Sequence, residues 1–191
     1  MDNVNRVVSS EAEQLILVDE HDNEQGHSSK AACHDGAGIL HRAFSAFLFN
    51  PAGELLLQQR ADSKRLWPGY WSNSCCSHPR RGESMAEATG RRLAEELNIA
   101  AELSFVYKFR YRASYGKLGS EHELCHVFLG RIDAEVRANA EEISAIRFAS
   151  AEAMDRELAE HPERFTPWFK LEWDALTTDY AAMLGQYSRA R

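Results

Sequence analysis

No stretch of this 191-residue chain is apolar for anything near the roughly 20 residues that a membrane-spanning helix needs. The opening MDNVNRVVSSEAEQ has no apolar core of the kind a secretory leader carries. Cysteine is scarce. Four residues, Cys33, Cys75, Cys76 and Cys125, do not make a secreted disulfide framework, so free thiols in a reducing cytoplasm are expected. Positive charge is in deficit too, and a net charge of −7 argues against general nucleic-acid binding. No membrane partner, internal repeat or low-complexity segment is expected either. A hydrophobic content of 44% with 27% charged residues then describes an ordinary globular protein, long enough for one domain with a proper core.

The charge is unevenly spread. Between Arg60 and Arg112 ten Lys/Arg face six Asp/Glu, a local +4, so the rest of the chain carries −11. A cationic middle in an acidic protein suits a small polyanion better than a long nucleic acid, although solvated surface charge explains the count about as well.

Periodicity and turn signals outline the elements. Residues 1–13 are polar and expected to be poorly ordered. Gln14–Val18 is a strand candidate closed by a turn-rich Asp19–Gly26, and Lys30–Gly38 has the composition of a loop. Leu40–Phe49 and Glu54–Gln59 flank Asn50-Pro51-Ala52-Gly53 as a β-hairpin. Ser84-Met85-Ala86-Glu87 is a capping box opening a helix to about Leu97, with Asn98 as a left-handed cap. Gly90 inside that helix costs about 1 kcal/mol relative to alanine, which hints at a close neighbour. Leu103–Ala113 alternates, placing Phe105, Tyr107, Phe109 and Tyr111 on one face. A strand follows over Glu121–Ile132, then a short one near Ile146–Phe148 and a helix capped by Ser150. The last helix starts with Thr166 as N-cap and Pro167 at N1 and runs to near Gly185.

Within Ser72–Pro79, extended backbone would place Cys76 and His78 on one face with Ser72 and Ser74, and Cys75 on the other. Two small core residues are the ordinary reading of such a cysteine pair. His34 and His41 flank a glycine-containing loop, and either alone is more often a satisfied polar residue than a ligand. Glu121 and Glu123, two apart on a strand, project the same way, which is unfavourable unless a cation sits between them or one is protonated. His34, His41, His78, Glu121 and Glu123 together make a nitrogen–oxygen set suited to Mn²⁺, Mg²⁺ or Zn²⁺. Cys125 shares the carboxylates' face but lies in an apolar run and is read as packing. His122 and His126 fall opposite.

From Ser77 to Ile99 the chain resembles a Nudix box. Glu83, Arg91, Glu95 and Glu96 match its pattern, while Ser77, Arg92 and Asn98 replace a glycine, a glutamate and a glycine. Over roughly Lys30–Phe169 the string His34…His41-Arg42-Ala43-Phe44-Ser45, Arg60-Ala61-Asp62-Ser63-Lys64, Trp67-Pro68-Gly69, Trp71–Pro79, Phe109–Ala113, Glu121-His122-Glu123 and Pro167-Trp168 is similar, in collinear order, to type 1 isopentenyl-diphosphate isomerases. The resemblance implies a mixed α/β single domain, a Nudix-like α/β/α sandwich. It divides the chain into an N-terminal extension and first strand (1–29), a catalytic domain (30–170) and a C-terminal helix packed on it (171–191). It also implies interconversion of isopentenyl and dimethylallyl diphosphate through a tertiary carbocation. Cys76 and Glu123 would then be the proton-transfer pair, with Tyr111 and Trp168 completing the pocket. Lys30, Arg60, Lys64 and Arg92 would hold the diphosphate, Glu96 would hold its Mg²⁺, and the five-residue set would hold a further divalent metal, Mn²⁺ or Mg²⁺ before Zn²⁺. The expected partner is a small prenyl diphosphate, and the expected state a monomer or weak homodimer. A Nudix diphosphohydrolase acting on a nucleoside or prenyl diphosphate is the alternative, and a non-catalytic diphosphate sensor a further one.

Overall fold

The computed structural model describes residues 6–190, so the expectation for residues 1–13 falls outside it at 1–5. Its centre is β3 (His41–Phe49), whose residues are buried except Arg42. An almost unbroken apolar run buried on both faces is what a strand with neighbours and helices on every side requires. Alternate residues serve two cores. Ala43, Phe47 and Phe49 join one, while Phe44, Ala46 and Leu48 join the other.

The earlier strands are β1 (Gln14–Val18) and β2 (Glu24–Ser29), which pair antiparallel, with β1 touching β3 at Leu17 and His41. The expected turn over Asp19–Gly26 is therefore the tip of a hairpin, and its second strand was hidden by its polar sequence. The expected loop at Lys30–Gly38 begins instead with a short helix, α1 (Lys30–His34), capped by Ser29. Residues 6–13 are mostly exposed but anchored at Val8, which is buried and whose carbonyl accepts from Arg80 and Arg92.

The hairpin partner β4 (Leu55–Arg60) meets β3 only at Phe49 and Leu55, then pairs with β5 (Trp71–Ser72) and with β9 (Ile143–Ala149). The short β6 (Cys75–Ser77) runs antiparallel to one part of β3, and β8 (Gly119–Arg131) runs parallel to it along its whole length. Outside β8 lies β7 (Leu103–Tyr115). A bulge between Phe105 and Tyr107 flips the side-chain phase. Phe105 consequently leaves the face of Tyr107, Phe109 and Tyr111 expected for it, is half exposed, and packs on Phe128 and His126.

One face of this mixed sheet is covered by α2 (Met85–Leu97), through Ala88, Leu93 and Leu97. Its capping box and the left-handed Asn98 (φ 59°) are as the sequence predicts. Gly90 is not: a Cβ there would meet nothing within 4 Å, so no close neighbour explains it. The other face carries α3 (Ala151–Glu160), α4 (Pro167–Thr178) and α5 (Ala181–Tyr187). Met154, Phe169, Trp173, Leu176 and Leu184 from these helices pack against it. The single last helix expected to reach Gly185 is thus broken near Asp179. Thr166 precedes α4 without capping it, its hydroxyl being bonded to Ser72 Oγ at 2.9 Å. The layers are helix, sheet, helix. Among the described residues no helix is long and apolar enough to cross a membrane.

Candidate active site

Strand register assembles the site. β3 and β8 set His41 beside Glu123, β7 and β8 set Tyr111 opposite Glu123, and β3 and β6 set Ser45 opposite Cys76. All of these point toward the α4 side of the sheet. Glu121, two residues before Glu123, points the same way and lies 2.8 Å from His34 on α1. His78 leaves the end of β6 to reach Glu123 Oε1 at 2.8 Å.

The three imidazoles form a tight triangle, with ring centroids 4.8–5.2 Å apart. One ligand atom from each of His34, His41, His78, Glu121 and Glu123 lies within 4.8 Å of all the others. The Nδ1 atoms of His34 and His41 bond the carbonyls of Lys30 (2.8 Å) and Ile39 (2.7 Å), which places the proton there and aims the Nε2 lone pairs inward. Those Nε2 atoms and Glu121 Oε2 are buried without a well-aligned hydrogen bond. Orphaned buried polar atoms that converge are costly unless something binds them.

The protonation pattern agrees. Burial, reinforced by His34, holds His41 down to about 4. Burial and the neighbouring imidazoles hold His78 well below the ordinary histidine value. Burial opposes charging His34, but Glu121 outweighs it and raises that residue. Glu121 is kept ionised, because His34 overcomes its burial, whereas burial and the Glu121 charge push Glu123 far up. Two neutral imidazoles, a frustrated carboxylate pair and free lone pairs fit a divalent cation better than they fit one another.

Glu123 also accepts a 2.7 Å hydrogen bond from the Tyr111 hydroxyl. Both line a cavity of about 380 Å³ together with Cys76, His78 and Trp168. Burial pushes the Cys76 thiol up to about 12, so it is protonated at neutral pH. Cys75 faces the opposite core beside α2 and is fully buried. The expected shared face holds for Cys76 and His78, but neither Ser72 nor Ser74 lines the cavity. Ser74 Oγ turns into the sheet, accepting from Leu48 N and donating to Leu56 O. Cys125 is buried behind the site, 3.5 Å from Ser45 Oγ and from Glu172 Oε1. His122 and His126 lie on the outer face, His126 2.9 Å from Asp22.

Trp168 is held at the cavity wall by Trp67, whose ring meets it edge-on at 5.3 Å. Trp67 itself sits in the left-handed region at φ 48°, uncommon for a bulky residue. Arg60 lies 5.3 Å over the Trp168 ring and spends its Nε and one Nη on the carbonyls of Leu66 and Trp67.

The other end of the cavity is cationic. Lys30, Lys64 and Arg92 line it beside Val7, Ser9 and Glu142. Lys30 donates to Ser9 Oγ, and Arg92 to the Val8 carbonyl. Lys64 is ion-paired to Glu142, which also lies 3.4 Å from Arg92. Glu96 is bound by Arg92 behind the cavity wall. Arg91 pairs with Glu83 and Glu95 on the helix surface. Glu142 and Glu172 were not singled out from the sequence. Glu142 sits in a run, Glu141-Glu142-Ile143, that reads as surface charge, and Glu172 is one acid within a mixed helix.

Residues 39–169 match the NUDIX domain family. The chain is 47% identical over 163 residues to an isopentenyl-diphosphate Delta-isomerase 1 from Photorhabdus laumondii, covering 84% of this chain and 93% of that protein. It is 45% identical to an isopentenyl-diphosphate Delta-isomerase from Serratia proteamaculans, covering 82% and 87%. The chain belongs to the isopentenyl-diphosphate Delta-isomerase family. Among solved structures, the fold of this family member is similar to that of DR0079 from Deinococcus radiodurans. That TM-score is 0.66 at 22% identity, over 93% of this chain and 100% of that one. A MutT protein from Methanosarcina mazei aligns with a TM-score of 0.61 at 20% identity over 74% of this chain and 95% of that one. At such identities the structures support the fold of the isomerase chain and nothing finer.

Proposed function

We infer that the protein interconverts isopentenyl diphosphate and dimethylallyl diphosphate. The observation that carries this is a single cavity with a thiol, a carboxyl–phenol pair and an aromatic face at one end, and a cluster of cations at the other. Moving the double bond adds a proton to the terminal alkene carbon and removes one from the carbon next to the diphosphate-bearing carbon. A tertiary cation stands between the two steps. Cys76 and Glu123 form the proton-transfer pair. The Tyr111 hydroxyl orients Glu123 and offers a path for its proton. Trp168 lies beside the developing cation, an interaction worth about 2 kcal/mol when desolvated. The apolar walls keep out water, which would trap the cation as an alcohol.

Lys30, Arg60, Lys64 and Arg92 bind the diphosphate, Arg60 from its place over the Trp168 ring. Bound by His34, His41, His78, Glu121 and Glu123, a divalent ion would relieve the carboxylate repulsion and fix the protonation of Glu123. The mixed donor set suits Mn²⁺ or Mg²⁺, with Zn²⁺ as a competitor, and Glu96 would serve a Mg²⁺ carried by the diphosphate by giving up its bond to Arg92. The four free cysteines suit work in the cytoplasm. The proposed working unit is a monomer or weak homodimer.

A NUDIX diphosphohydrolase is less well supported, because Arg92 replaces a helix carboxylate with a cation already bound to Glu96. Incubation with isopentenyl diphosphate and Mg²⁺ decides between them. Dimethylallyl diphosphate is the expected product, and phosphate release without it would sink this reading.

A further inference from the structure

We propose that Glu142 sets the charge of the cationic end of the cavity so that it accepts a metal-bound diphosphate in preference to a free one. The inference rests on the reading of that end as the diphosphate site. Glu142 is only 3% exposed yet lines the cavity. Its carboxylate is the meeting point of two cation-bearing segments, bonded to Lys64 from the loop after β4 and lying 3.4 Å from Arg92 on α2.

Main-chain bonds hold it there. Its carbonyl accepts from Ala61 N, and the Ala61 carbonyl accepts from Lys64 N. Asn139 N donates to Glu96 O at 2.8 Å, and Asn139 Nδ2 donates to Glu95 O and Arg6 O. The loop is thus tied both to the Lys64 segment and to the helix that carries Arg92. Lys64 and Arg92 hold Glu142 ionised against its burial.

Charge counting gives this carboxylate its consequence. The buried Glu96 and Glu142 cancel two of the positive charges that Lys30, Lys64 and Arg92 bring, and Arg60 adds a further cation to the cavity lining. Glu95 is shared between Arg91 and Arg92, and the exposed Glu11 and Glu141 stand at the rim, Glu11 3.8 Å from Lys30. A fully ionised diphosphate ester carries roughly three negative charges, and one divalent ion reduces that to about one. The positive charge that Glu142 cancels between Lys64 and Arg92 is worth more to the first species than to the second, so its presence favours the second.

Calorimetry with inorganic pyrophosphate, with and without added Mg²⁺, reads this without turnover. Wild type should bind at least ~10-fold tighter with Mg²⁺, as a single charge at close range warrants. Glu142→Gln should shrink that ratio to within ~3-fold, chiefly by strengthening the metal-free complex. Lys64→Met should move the ratio the other way, which tests the same idea in a variant that leaves the Glu142 loop in place. Glu142→Asp and the surface control Glu135→Gln (Glu135 being 78% exposed) should keep the wild-type ratio. Equal weakening of both complexes in Glu142→Gln would mean a purely structural carboxylate and overturn the proposal. An unchanged ratio in Lys64→Met would overturn it as well. Failure of wild type to bind pyrophosphate at all would instead overturn the reading of the diphosphate end itself.

Discussion

Replacing Glu172 by glutamine should make the protein more stable at alkaline pH and leave it little changed in mild acid. Glu172 projects from α4 into the core with 0% exposure. Its side chain is hydrogen-bonded by Ser45 and Cys125, and its Oε2 has no partner among the described residues. Burial raises its carboxyl from 4.5 to about 8, against weaker support for the ionised form from those two hydroxyl and thiol groups. The native state therefore holds a proton that the unfolded chain has released. Its stabilising effect is full below about pH 4.5 and is lost as pH climbs from there through about 8. At about 1.4 kcal/mol per pH unit, the complete interval is worth roughly 5 kcal/mol and the part reached by pH 7 roughly 3. The amide cannot ionise and keeps a similar shape. Urea unfolding of both proteins from pH 5 to pH 8.5 measures the difference directly. The variant should gain ~4 kcal/mol relative to wild type across that range. Parallel pH profiles for the two proteins would show that Glu172 is ionised in the fold and refute the reasoning.

Cys76→Ala should abolish turnover while Cys75→Ala spares it, because only Cys76 lines the cavity; product assays on both variants check this, and the reverse result would overturn the face assignment. His41→Ala should lower the bound metal measured after chelation and reloading, since it removes a buried lone pair aimed at the cluster. Gly119→Ala should weaken metal binding through the backbone: a Cβ there would stand 2.3 Å from the His34 carbonyl oxygen, so α1 must shift. Metal analysis and a thermal melt separate that displacement from general unfolding.

The strand and helix pattern was largely legible, and so was the divergence of Cys75 from Cys76, because period-two alternation and capping chemistry are local. Helix α2 shows this well: the Ser84–Glu87 box and Asn98 declare both ends within the sequence itself. What escaped depended on distant partners. Strand β2, Glu-Gln-Gly-His-Ser-Ser, has little strand propensity and is held by pairing with β1. Phe105 fits an alternation that one bulged residue breaks. Thr166 looks like a cap until Ser72, far away in sequence, takes its hydroxyl. The candidate metal cluster was readable as a donor inventory, yet its convergence is produced by the β3–β8 and β7–β8 registers, which no local spacing encodes. Glu142 is the clearest case. Only the folded loop reveals it as buried between Lys64 and Arg92.

Isomerisation of isopentenyl diphosphate in D₂O, followed by NMR, tests the central claim most directly. The account predicts dimethylallyl diphosphate carrying deuterium in a methyl group with wild-type protein, and none with Cys76→Ala. Inorganic phosphate without labelled dimethylallyl product, or undiminished labelling by the Cys76 variant, would contradict it.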